Sequence, residues 1–152
     1  MDGLAALEPI DDRYASLPVA EAFDWRVAAA DLPAGREWYM VVFRSSRRAD
    51  ADEARLCEFD ERAHQEAAAS SGFVHYFKGP TTSDGSCLSF CLWDSRSDAR
   101  TASGKPAHQQ AVTLIREMYE RYTLEFLRVR HAAGAPGLRF EPYDQVPAAL
   151  AS

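Results

Sequence analysis

The spacing of apolar residues changes along this chain, and each change marks an element. Glu37–Arg44, EWYMVVFR, is apolar in both alternating sets, with Tyr39, Val41 and Phe43 on one side and Trp38, Met40 and Val42 on the other. A strand apolar on both faces is covered on both faces. From Asp52 to about Ala69 the period lengthens, and Leu56, Phe59, Ala63 and Ala67 fall on one helical stripe behind an acidic first turn that suits the helix dipole. Phe73–Phe77 reads as a second strand, with His75 sharing a face with Phe73 and Phe77. A turn-rich connection, Gly79-Pro80 to Asp84-Gly85, leads into residues 86–93, where Leu88, Phe90 and Leu92 alternate with Cys87, Ser89, Cys91 and Trp93. Ser95 with Asp98 loosely fits a capping box. Pro106 suits a first helical position, and His108, Val112, Ile115 and Tyr119 recur at helical spacing to about residue 121. Tyr122–Arg130, YTLEFLRVR, is either more of that helix or a fourth strand; its Thr, Val, Tyr and Phe content and its changed period favour the strand.

The remaining segments carry weaker patterns. Residues 1–16 are mixed and read as loosely held, and 18–30, PVAEAFDWRVAAA, as a short helix laid over the outside. Residues 134–143 read as a loop with a short extended edge. The expected layout is an N-terminal extension over 1–36, a domain over 37–143 and a tail over 144–152. The order β-α-β-β-α-β points to an α+β fold, a ferredoxin-like four-stranded antiparallel sheet with helices on one face. The doubly apolar first strand then needs a second layer, and a partner subunit is a natural supplier.

Composition narrows the function classes. The chain has 152 residues, enough for one domain with a real core, and is 47% hydrophobic and 26% charged. A net charge of −6 without a basic stripe argues against nucleic acid. Cys57, Cys87 and Cys91 form no C-x-x-C, and Cys87 and Cys91, four residues apart on one strand, lie about 13 Å apart, too far for a disulfide. Reduced thiols, no membrane-length apolar run and no signal-like start suggest a cytoplasmic protein.

The stretch LSFCLWDSRSDARTASGKPAHQQAV resembles the strand-to-helix signature of the antibiotic-biosynthesis-monooxygenase-like, dimeric α+β barrel superfamily. There the third strand ends in Trp and an acidic residue, a short helix follows, and an s-p-a-H element starts the next helix. SSGFVHYFKG is similar to that superfamily's second strand. EWYMVVFRS, AHQEAAASSGFVHYFKG and MYERYTLEFLRVR together look closest to a branch with no assigned activity. The resemblance spans about 37–143. It implies a homodimer with two sheets packed face to face and a cavity between sheet and helices in each subunit. The superfamily includes cofactor-free oxygenases, haem enzymes, isomerases and proteins without known activity, so fold analogy does not select a reaction.

Candidate chemistry centres on histidine. His108 opens the long helix on its apolar stripe, where a neutral imidazole suits a general base or a haem ligand. A packed, backbone-bonded His108 is the alternative, with Asp94 a further partner. His75 is a second proton-transfer or haem-ligand candidate if its sheet face lines the cavity, and structural if it does not. His64 with Asp60 at i−4 forms either an oriented imidazole or a solvated pair. His131 reads as an inert loop residue. Trp93, Tyr76, Tyr119 and Phe90 are the expected pocket walls. Three of His64, His75, His108 and Asp94 would have to converge to hold a metal, at spacings that match no ligand motif, so none is expected. The leading expectation is a protein that binds or acts on an apolar, aromatic small molecule without a cofactor, in the manner of a monooxygenase. The alternatives are a haem-binding member and a non-enzymatic dimeric scaffold or regulator.

Overall fold

The computed structural model describes residues 2–135 and 137–144. Five antiparallel strands form one sheet: β1 Arg36–Arg47, β2 Phe73–Phe77, β3 Ser86–Trp93, β4 Tyr119–His131 and β5 Arg139–Pro142, in the order β2-β3-β1-β4-β5. The first four have the ferredoxin-like order, and β5, the expected edge segment, pairs with β4 through Leu127–Arg130. Residues 122–130 are strand. The helix before them stops at Met118, and β4 begins at Tyr119 with no loop between, where the backbone turns extended. The expected tail from 145 onward lies outside the described residues.

Among the described residues six α-helices and one 3-10 turn, Tyr14–Ser16, accompany the sheet. α1 Asp2–Ala5, α2 Val19–Ala22 and α3 Arg26–Ala29 are single turns in the N-terminal segment, and α4 Glu53–Ala68, α5 Arg96–Ser103 and α6 Pro106–Met118 belong to the domain proper. Side chains fix three of their starts. Asp52 caps α4 by accepting the Arg55 N–H at 3.0 Å, and Ser95 caps α5 by accepting the Asp98 N–H at 3.1 Å. Lys105 gives α6 no side-chain cap. Instead Glu66 of α4 reaches across to accept the N–H groups of Ala107 and His108 at 3.1 and 3.2 Å, an anion at a helix N-terminus.

The two sheet faces have different covers. Tyr39, Val41, Cys91 and Trp93 face α4, α5 and α6. Trp38, Met40, Val42, Leu88, Phe90, Leu92 and Val129 face the chain's own N-terminal segment, forming one core with Leu4, Leu7, Tyr14, Val19, Phe23, Trp25 and Leu32. The expected loose start and outer helix are thus corrected. The helix breaks at Phe23, which bridges in extended conformation to Pro9, and Leu4, Tyr14 and Phe23 are almost fully buried. The second layer expected from a partner subunit comes from residues 4–32 of the same chain.

Polar pins hold this layer to the sheet. The Tyr14 hydroxyl donates to the Pro80 carbonyl and accepts the Leu88 N–H at 3.3 Å. Arg44 pairs with Glu125 and donates to the Ala15 carbonyl at 2.7 Å. His131 contacts the Leu32 carbonyl through Nδ1, so it is a structural pin and not an inert loop residue. Only glycine fits at position 79, because a Cβ there would lie 1.9 Å from the Leu88 carbonyl oxygen and 2.4 Å from the Tyr14 hydroxyl.

Candidate functional site

A cavity of about 520 Å³ lies between the helical face of the sheet and α4, α5 and α6. Its floor is the alternating set Tyr39, Val41 and Phe43 of β1 with Cys91 and Trp93 of β3, and its roof comes from Leu56, Phe59 and Ala63 of α4 and Leu114 of α6. This volume is in the range of small-molecule sites, which are mostly apolar with a few placed polar groups. Val112, Leu124 and Phe126 line the cavity and are also exposed.

The expected site residues separate into two groups. His108, His64, Asp60, Tyr76, Trp93 and Tyr119 all line the cavity. His75 does not: it pairs with Leu92, and its half-buried ring lies 6.2 Å from that of Phe90, on the sheet face covered by the N-terminal layer. The cause is a bulge between Phe73 and His75, with Phe73 opposite Trp93 and His75 already opposite Leu92. Phe73 therefore packs on the cavity side while His75 faces away, which strict alternation does not reveal. Phe90 is likewise corrected, being fully buried in the core of the opposite face. Asp94 stands at the sheet end and pairs weakly with Arg36 at 3.5 Å.

His108 keeps its candidacy on geometry. Its Nδ1 is buried and has no hydrogen-bond partner among the described residues. Burial pushes its pKa below the ordinary histidine value, with the Ser103 carbonyl and Glu66 opposing, so the imidazole is neutral at pH 7 and available as a base. His64 is held edge-on to the Tyr76 ring at 5.0 Å. Tyr76 donates to Asp60 at 2.7 Å, and Lys78 pairs with the other Asp60 oxygen at 3.3 Å. Burial, and secondly the Asp60 charge, hold the Tyr76 phenol protonated. The Cys91 thiol, pushed up to about 12 by burial, is likewise a protonated wall group.

Sequence reading missed the cationic part of the lining. Arg47, Lys78, Arg96 and Arg100 all border the cavity, as does Tyr39. Arg96 and Arg100 stand one turn apart on α5, within the WDSRSDAR stretch, whose sequence signals a cap and the superfamily resemblance but no cation site. Tyr39 was legible from its alternation with Val41 and Phe43. For haem, the displacement of His75 leaves His64 and His108 as the imidazoles on the cavity wall. Among the described residues no group of three or more His, Cys, Asp or Glu side chains is placed to hold a metal ion, and no helix is long and apolar enough to cross a membrane.

Comparison with known proteins extends this picture. The model of the PB2B2.08-like family matches residues 1–142, N-terminal layer included. The chain belongs to that family. A curated relative, the UPF0643 protein PB2B2.08 of Schizosaccharomyces pombe (strain 972 / ATCC 24843), is 32% identical over 132 residues, covering 74% of this chain and 59% of its own length. The chain thus spans under two thirds of that relative. Among solved structures, Rv0793 from Mycobacterium tuberculosis has a TM-score of 0.53 at 19% identity, covering 72% of this chain and 99% of its own. A candidate antibiotic biosynthesis monooxygenase from Nitrosomonas europaea has a TM-score of 0.53 at 12% identity, covering 64% and 92%. These likenesses establish the antibiotic-biosynthesis-monooxygenase-like fold. Nearly all of Rv0793 is matched by less than three quarters of this chain, whereas the PB2B2.08-like model takes in the N-terminal layer as well.

Proposed function

We propose that this PB2B2.08-like chain binds an apolar, aromatic small molecule between its sheet and its helices and acts on it as a cofactor-free, monooxygenase-like enzyme. The observation that carries the reading is the 520 Å³ cavity with the His108 imidazole among its lining side chains. In this reading the neutral imidazole accepts a proton from an activated CH₂ of the ligand. The resulting carbanion reduces O₂ directly, so that R₂CH₂ and O₂ give R₂C=O and H₂O. The ligand supplies the electrons, and the protein supplies the base and a cavity that excludes bulk water. The candidate-monooxygenase description of the Nitrosomonas europaea neighbour suggests this reaction class as the first to try.

The free thiols of Cys57, Cys87 and Cys91 support the expected cytoplasmic location. The test has two steps. Saturable fluorescence enhancement of anilinonaphthalene sulfonate with one site per chain reads the cavity. Oxygen uptake with an anthrone reads the chemistry, and it should fall by about 10²-fold or more in His108→Ala. Probe binding without saturation would refute the cavity, and oxygen uptake unchanged in His108→Ala would refute the base.

A further inference from the structure

The lining of the cavity holds more cations than carboxylates. The molecule carries −6, yet the cavity is bordered by the cations Arg47, Lys78, Arg96 and Arg100 and only two carboxylates, Asp60 and Glu66. Both carboxylates are already committed, Asp60 to Tyr76 and Lys78 and Glu66 to the N-terminus of α6. Of the cations, Arg47 pairs with Glu53, Lys78 with Asp60 and Arg96 with Asp144, and Arg100 alone has no acid partner among the described residues.

The geometry of that end is specific. Arg96 is held from the rim by Asp144 at 3.2 Å and lies over the Tyr143 ring at 5.0 Å, which leaves its buried Nε without a partner among the described residues. Arg100 follows one turn later on the same side of α5. The Tyr39 phenol lies within the field of both guanidiniums, which pull its pKa down against the upward push of burial. Trp93 and Tyr39 supply flat apolar surface beside these donors, and the Phe126 ring stacks on Tyr39 at 6.2 Å. The Arg96 Nη groups hold both Asp144 oxygens, so the donors left for a ligand carboxylate at this end are those of Arg100, which lines the cavity and has no acid partner among the described residues.

We propose that the ligand is an aromatic carboxylic acid that lies with its carboxylate against Arg100 and its rings between Trp93, Tyr39 and the apolar floor. This rests on the cavity being the binding site and adds the chemical class of the ligand and its orientation. The acid end sits at α5, and the ring system extends along β1 toward Phe43.

Calorimetric titration of the full chain with naphthalene-2-carboxylate and with its neutral counterpart, 2-naphthalenemethanol, separates the two claims. The acid should bind about tenfold or more tightly than the alcohol, and the gap should narrow with added salt. Arg100→Gln should remove most of that gap and leave the alcohol unchanged, which also shows that the variant is folded. Equal affinity for acid and alcohol would overturn the acid proposal and leave the cavity standing. A preference for the acid that survives Arg100→Gln would overturn its placement. Failure of both compounds to bind would remove the cavity reading and this inference together.

Discussion

Phe23→Ala tests whether the N-terminal layer is part of the domain or an attachment to it. Phe23 is 3% exposed. Its ring meets those of Tyr14 at 5.9 Å and Trp25 at 5.4 Å within the layer, and those of Phe77 at 4.9 Å and Phe90 at 5.7 Å on the sheet. Truncation leaves a void bounded on one side by β2 and β3, which cannot collapse into it without bending. A buried Phe→Ala change costs about 3–5 kcal/mol, and at this chain length 1 kcal/mol moves Tm by about 2–4 °C. The expected fall is on the order of 10 °C. Thermal unfolding should be followed by far-UV circular dichroism and by tryptophan fluorescence, since Trp25 lies in the layer, Trp38 on the sheet face beneath it and Trp93 on the cavity side. The two probes should move together as one transition. A fall of less than about 2 °C, or an early transition confined to one probe, would refute the shared core and return the segment to an outer appendage.

Two further outcomes follow from buried titratable groups. Burial lowers the pKa of both His75 and His108, His64 adding to the effect at His75 and Asp31 opposing it. The unfolded chain therefore takes up protons below about pH 6.5 that the folded chain does not, so stability is level at higher pH and falls as pH drops through that value. Tm should be constant from about pH 7 to 8 and decline toward pH 5 less steeply in His75→Phe, and a Tm unchanged down to pH 5 would contradict this. Cys57 is exposed, whereas Cys87 is buried and the Cys91 thiol is held protonated, so the native protein should react rapidly with one equivalent of an aromatic disulfide reagent at pH 8. Cys57→Ser should abolish that fast phase, and a fast phase that persists would refute the assignment.

Local signals carried the element plan because each depends on near neighbours. The double alternation of Glu37–Arg44, the cap at Ser95 and the stripe Leu56-Phe59-Ala63-Ala67 express backbone geometry that a short window contains. His108 was legible as a cavity residue for the same reason, by helical phase. His75 was not, because a single bulged residue inverts the phase of everything after it, and bulges leave no signal in hydrophobic periodicity.

Sequence alone settled the order of strands and helices in the domain and the need for β1 to be covered on both faces; the end of the long helix, expected near residue 121, is at Met118. Only the tertiary structure decided what covers β1. Tyr14, Phe23 and Trp25 lie in a segment of broken turns whose apolar residues have no single period, so their burial comes from aromatic contacts with β2 and β3, more than 50 residues away in the chain. The cations of the cavity lining were placed in the same way. Arg96 and Arg100 are ordinary surface cations of a capped helix until α5 is laid against Trp93 and Tyr39, where packing removes solvent from one guanidinium N–H and supplies no acceptor in its place.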